Sequence, residues 1–146
     1  MDKSVLLVHV PISPDVASLS PPLGLLYLTS VLRAHSIPVQ FFDLRNEQTP
    51  WSCVEQAVSD THLCLVGFSC DSENIHRVLR LSKRLLKRFP HVTVVLGGPH
   101  VTHEWRPFVN DRRIVVRGEG EYSLLLLAKN VLDGEGSIRR IPSIAY

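Results

Sequence analysis

Apolar positions along this chain follow two alternating rhythms. Short runs rich in β-branched residues, at 5–10, 39–43, 63–69, 92–98 and 114–117, read as strands. The runs that are apolar almost throughout read as strands buried on both faces. Between them the apolar residues recur at helical spacing. Ser20 followed by Pro21 predicts a helix start, a hydroxyl cap and then proline in the first turn. That helix runs to about residue 34, and Leu25, Leu26, Leu28, Val31 and Leu32 leave it little polar surface. Thr49-Pro50 repeats the signal ahead of Trp51, Val54, Ala57 and Val58. From about 72 to 89, Ile75, Val78, Leu79, Leu85, Leu86 and Phe89 form one face. Arg77, Arg80, Lys83, Arg84, Lys87 and Arg88 cover the remainder, as expected of a solvated face with cations toward the helix C-terminus. Residues 102–109 have room for one helical turn before Pro107. The last helix spans 122–132 and stops near Gly134, and 141–146 reads as the start of another strand.

Strand and helix thus alternate five times. Such alternation predicts an α/β domain with a parallel sheet, right-handed crossovers and helices on both faces. The expected architecture is a flavodoxin-like (Rossmann-like), doubly wound, five-stranded sheet of order 2-1-3-4-5. The 146 residues fit one domain with a real core. Its expected extent is 1–140.

Composition removes several function classes. Net charge is +2 and aromatic content 7%, with no basic-aromatic pattern, which argues against a nucleic-acid partner. No apolar run is long enough to cross a bilayer. The first residues enter a strand at once, without a cleavable leader pattern, so the expected location is cytoplasmic. The three cysteines, Cys53, Cys64 and Cys70, are odd in number and form no Cys-x-x-Cys, so neither a disulfide framework nor a zinc or iron–sulfur site is indicated.

The candidate chemistry lies at strand ends. Val92-Thr-Val-Val-Leu-Gly97-Gly98-Pro99-His100 and Ile114-Val-Val-Arg-Gly118-Glu119-Gly120-Glu121 each stop abruptly at glycines, which let a ligand approach backbone closely. In a parallel sheet, ligands bind outside the carboxyl ends of the strands. The loops 11–24, 69–72, 97–103 and 118–121 meet there and offer glycines, hydroxyls and N–H groups rather than acid–base side chains. That suits holding a large cofactor. A dinucleotide-binding domain needs Gly-x-Gly-x-x-Gly after the first strand, and residues 11–22 contain no glycine. A phospho-receiver needs an acidic pair after the first strand, which is also absent. His100, His103 and Glu104 could hint at a metal site, but no further ligand is placed.

Four segments, Ser20-Pro-Pro-Leu-Gly-Leu-Leu-Tyr-Leu28, Val66-Gly-Phe-Ser69, Leu96-Gly-Gly-Pro-His100 and Arg117-Gly-Glu-Gly-Glu121, occur in an order and spacing that cover essentially the whole chain. Through them the sequence resembles the N-terminal cobalamin (vitamin B12)-binding domain of cobalamin-dependent radical SAM enzymes. The resemblance implies that the nucleotide tail of cobalamin threads beside the sheet. It implies a site drawn from Ser18, Leu19, Ser20, Pro21 and Gly24, from Ser69, Cys70 and Asp71, from Gly97, Gly98, Pro99 and His100, and from Gly118, Glu119, Gly120 and Glu121. Ser69 would bond the tail, and the glycine pair would give it room.

Departures from the related methionine-synthase pattern carry information. The Asp and His of Asp-x-His-x-x-Gly fall on Leu19 and Pro21, counted back from Gly24, and neither residue can coordinate cobalt. Asp71 stands where Ser-x-Leu has leucine, and is expected to cap the third helix instead. The resemblance therefore implies cobalamin (methylcobalamin or hydroxocobalamin) held base-off without a histidine lower ligand, as the cofactor-carrying module of a methylase or related enzyme. It implies that SAM and a 4Fe-4S cluster belong to a downstream radical SAM barrel, with 141–146 as the start of a linker or strand toward it, so that this chain is not catalytic alone. Two alternatives stay open: His9 or His100 as an unexpected lower ligand, and a cofactor-free docking domain of the same fold.

Overall fold

The computed structural model describes residues 3–13, 20–110 and 112–146, with nothing to be said of the side chains of Asn46 and Cys64. Ser18 and Leu19, two of the expected site residues, lie outside the described residues. Six strands form one sheet: β1 (Ser4–His9), β2 (Val39–Asp43), β3 (Leu63–Ser69), β4 (Thr93–Gly97), β5 (Arg113–Val116) and β6 (Ile144–Ala145). Their order is β2-β1-β3-β4-β5-β6. The first five are parallel, in the order expected from sequence, and β6 adds an antiparallel edge by pairing Ile144 with Val116 and Ala145 with Val115.

The helices are α1 (Leu23–Ala34), α2 (Pro50–Asp60), α3 (Ile75–Arg88), α4 (Pro99–His103) and α5 (Glu121–Asp133). Alternation along the strands sends side chains to two separate cores. Leu6, Val8, Val10, Val66, Phe68 and Val94 pack toward α2, α3 and α4. Val5, Leu7, Leu65, Val95, Ile114 and Val116 pack toward α1 and α5. The central strands are buried on both faces, which is why their sequences read as continuous apolar runs.

Three helix starts differ from the sequence expectation. The first helix begins at Leu23, not at Ser20-Pro21. Pro21 precedes Pro22, and a residue before proline is pushed out of the helical region, so the chain turns first, with Leu23 N–H donating to Pro21 O. The third helix begins at Ile75, not near Ser72, because residues 71–74 form a hydrogen-bonded turn of their own. The turn expected within 102–109 is instead a short helix at Pro99–His103 and a 3-10 turn at Arg106–Phe108.

Candidate cofactor-binding site

A slot opens between the carboxyl end of the sheet and the α1–α5 layer. Its floor is the sheet face carrying Leu7, Gly67, Ser69, Val95, Gly97 and Val116, and its walls are Gly24, Leu25 and Leu28 of α1 with Gly120 and Leu124 at α5. The hollow measures about 210 Å³. A whole ligand of moderate size fills roughly 300–1,000 Å³, so this space takes part of a larger molecule. Ser69 contributes the one polar side chain among the lining residues, and its hydroxyl makes no hydrogen bond within the protein among the described residues.

Glycine makes the slot possible at two points. Gly67 sits mid-strand between Leu65 and Ser69, where a Cβ would lie 2.8 Å from Leu7 Cδ2. The strand therefore has a gap in its side-chain row on the α1–α5 face. Gly98 has φ +103°, and a Cβ there would meet Cys70 O at 2.6 Å and Cys70 N at 2.8 Å. The tight approach is bonded on both sides: Cys70 N–H donates to Gly97 O at 2.7 Å, and His100 N–H to Cys70 O at 3.2 Å.

Two polar side chains brace the rim. Asn74, 2% exposed, donates through Nδ2 to Val10 O and Ser69 O, each at 3.0 Å, and accepts from Asp71 N–H at 3.0 Å. Asp71 Oδ1 in turn accepts from Glu73 and Asn74 N–H, a reciprocal pair that closes the 71–74 turn ahead of α3, whose N-cap is Asn74 rather than the expected Asp71. Thr102 Oγ1 donates to Gly98 O and accepts from Gly118 N–H, both at 2.9 Å, and so pins the loop after β4 to the loop after β5.

The expected site residues divide accordingly. Gly24, Ser69, Gly97, Gly98, Pro99 and Gly120 come together around the slot. Ser20 and Pro21 are exposed just ahead of α1, with Ser20 O accepting from Arg45 Nη1. Gly118 and Glu119 are exposed on the rim, and Glu121 stands in the first turn of α5, where its charge suits the helix dipole. Cys70 and His100 turn the other way. The Cys70 thiol is buried in the α2–α3–α4 core, and burial, then the Asp71 charge, push its pKa up to about 12. His100 Nδ1 is in hydrogen-bond contact with Ser72 Oγ at 3.1 Å, and its ring lies 5.5 Å from Phe108. His9 ends β1, facing Asp43 and Arg45. Burial lowers its pKa, the Asp43 charge opposing. Neither histidine lines the slot, and no cluster of three metal-ligating side chains exists among the described residues.

Sequence reasoning did not single out Gly67, Asn74 or Thr102. A lone glycine inside a β-branched strand was the available signal for Gly67. Asn74 and Thr102 gave none, since each acts on backbone distant in sequence.

The slot fits an aromatic or apolar part of a large cofactor, and its rim is backbone and glycine. A family model described as the B12 binding domain matches residues 12–128. The uncharacterized methyltransferase PH0819 of Pyrococcus horikoshii is 30% identical over 134 residues, covering 88% of this chain and 28% of its own length. The cobalamin-dependent radical SAM methyltransferase TokK of Streptomyces tokunonensis is 29% identical over 87 residues, covering 56% of this chain and 12% of its own. The chain thus spans less than a third of the length of these relatives. The structure of the cobalamin-dependent S-adenosylmethionine radical enzyme OxsB with aqua-cobalamin and S-adenosylmethionine bound superposes with a TM-score of 0.82. That match covers 98% of this chain and 20% of the OxsB chain, at 19% identity. With that fold, and with the family model matching along most of its length, the chain belongs to the B12-binding domain family and is similar to the cobalamin-binding module of radical SAM enzymes.

Proposed function

We propose that this chain carries cobalamin base-off, with no histidine on the lower face of cobalt, for a radical SAM methylase or related enzyme. The observation that carries the reading is the apolar slot floored by Gly67 and opening on the glycine edge. It suits the nucleotide tail, with Ser69 Oγ as the donor to the tail's base. Gly97, Gly98 and Gly120 keep the rim low, and the Thr102 bridge holds two of its loops at fixed spacing. Pro21 stands where the related motif has its histidine, and both His9 and His100 are absent from the slot lining. These features support a lower cobalt face without an imidazole.

When bound, the cofactor supplies methyl transfer through methylcobalamin. This chain's residues bind and orient it and exclude water from its tail. SAM, the 4Fe-4S cluster and the substrate belong to a downstream barrel, in the same or a partner chain. The expected setting is cytoplasmic, and among the described residues no helix is long and apolar enough to cross a membrane.

The test is a visible-absorption titration with hydroxocobalamin, followed by desalting. Retained cobalamin with a base-off spectrum is expected, unchanged in His9→Ala and His100→Ala. A spectrum altered by either substitution would assign a histidine ligand. A folded sample that retains nothing would favour the cofactor-free docking domain.

A further inference from the structure

We infer that the slot selects among corrinoids by the base at the end of the nucleotide tail, accepting a benzimidazole and rejecting a purine. The inference rests on the cobalamin reading above and concerns what that site discriminates. The slot is large enough for one bicyclic aromatic group and is lined by Leu7, Leu25, Leu28, Val95, Val116 and Leu124. Ser69 offers the single side-chain hydroxyl. The strand backbone beneath is committed to the sheet through the β1–β3 and β3–β4 pairings.

Polar demand on the two bases differs. A dimethylbenzimidazole displaced from cobalt presents one free ring nitrogen, and its remaining edge is C–H and methyl. One hydroxyl meets that one need. An adenine in the same place adds two ring nitrogens and an exocyclic amino group. These would leave water for a wall of leucine and valine side chains that offers no second polar side chain, and a buried polar group without a partner is costly. One such unmet group already weakens binding by about tenfold.

Gly67 sets the depth. Its missing side chain leaves the space beside Leu7, and a Cβ there would crowd Leu7 Cδ2 at 2.8 Å. Leu7 is 1% exposed and closed in by core on its other sides, so relief would come from moving its methyl into the slot. Gly67→Ala therefore makes the slot shallower without touching the rim.

Equilibrium dialysis read by cobalt-corrin absorbance compares hydroxocobalamin, its adenine-tailed counterpart and base-free cobinamide. Hydroxocobalamin is expected to bind the wild-type chain at least about tenfold more tightly than either of the others. In Gly67→Ala, shown folded by circular dichroism, its affinity is expected to fall toward that of cobinamide. Equal binding of the benzimidazole and adenine forms overturns the selectivity and leaves the cobalamin reading standing. Cobinamide binding as tightly as both shows that no base enters the slot, which overturns the inference on its own terms. Retention of none of the three overturns the inference together with the reading beneath it. The wild-type ranking decides the question even if Gly67→Ala does not fold.

Discussion

Gly98→Ala puts the most weight on the geometry at the end of β4. Two costs add there. The first is conformational: φ is +103°, and a non-glycine residue in such a sparsely populated region costs about 1–3 kcal/mol. The second is steric and falls on backbone, which cannot swing aside as a side chain can. The new Cβ would stand 2.6 Å from Cys70 O and 2.8 Å from Cys70 N. Relief requires the ends of β3 and β4 to separate, straining the Cys70 N–H to Gly97 O and His100 N–H to Cys70 O bonds. At about 0.5–1.5 kcal/mol each, these bring the total to about 2–6 kcal/mol. A domain of ordinary stability has about 5–15 kcal/mol to lose, so the variant should be folded but visibly weakened.

Gly134→Ala is the control. Gly134 also has positive φ, +75°, where it ends α5, but nothing lies within 4 Å of its Cβ position. It carries the conformational cost alone, about 1–2 kcal/mol. Urea unfolding of both variants, followed by far-UV circular dichroism, gives a difference made of the clash with Cys70 and the further strain of Gly98's ψ of 176°, a backbone region open essentially to glycine alone. A Gly98→Ala loss no larger than that of Gly134→Ala would refute the claim that the Cys70 backbone closes this position.

Three further outcomes follow from the same geometry. Gly24→Ala should stabilise the chain by about 0.5–1 kcal/mol in a thermal melt, since Gly24 lies in α1 with nothing within 4 Å, yet weaken hydroxocobalamin retention because it lines the slot; tighter retention would contradict the assignment. Asn74→Ala should cost about 2–4 kcal/mol by urea unfolding, and Asn74→Asp more, because a carboxylate would face the Val10 and Ser69 carbonyls that the amide now serves; the reverse order would refute the strut. His9 has its pKa lowered in the folded chain, by burial first. The unfolded chain therefore takes up the proton earlier, and stability should fall as pH drops below about 6.5 and level off below the folded value; His9→Asn should flatten that part of the profile.

The five parallel strands were legible in the sequence because each central strand is buried on both faces, and their order followed from the alternation of strand and helix in a doubly wound sheet. Double burial demands an unbroken apolar run, and the intervening helices announce themselves by period and by proline at their starts. The glycine ends of β4 and β5 were legible for the same local reason, since positive φ and close approach leave glycine as the residue that fits. The edges were less so. β6 has two residues and is decided by Val115 and Val116 offering it a partner. Helix starts at 20–22 and 71–74 were misread where proline geometry and a side-chain turn outweighed the cap signal.

The slot itself belongs to the tertiary structure. Gly67 reads as an interruption in a strand until Leu7, Leu28 and Leu124 are placed around it. Asn74 and Thr102 read as ordinary polar residues until Val10 and Ser69, or Gly98 and Gly118, are brought within 3.0 Å of them. Cys70 and His100 are sequence neighbours of site residues that the pleat and the α4 turn direct to the opposite face. Periodicity and backbone preference are local and can be read along a chain. A cavity is the absence of atoms between elements distant in sequence, and it exists only once the layers have packed.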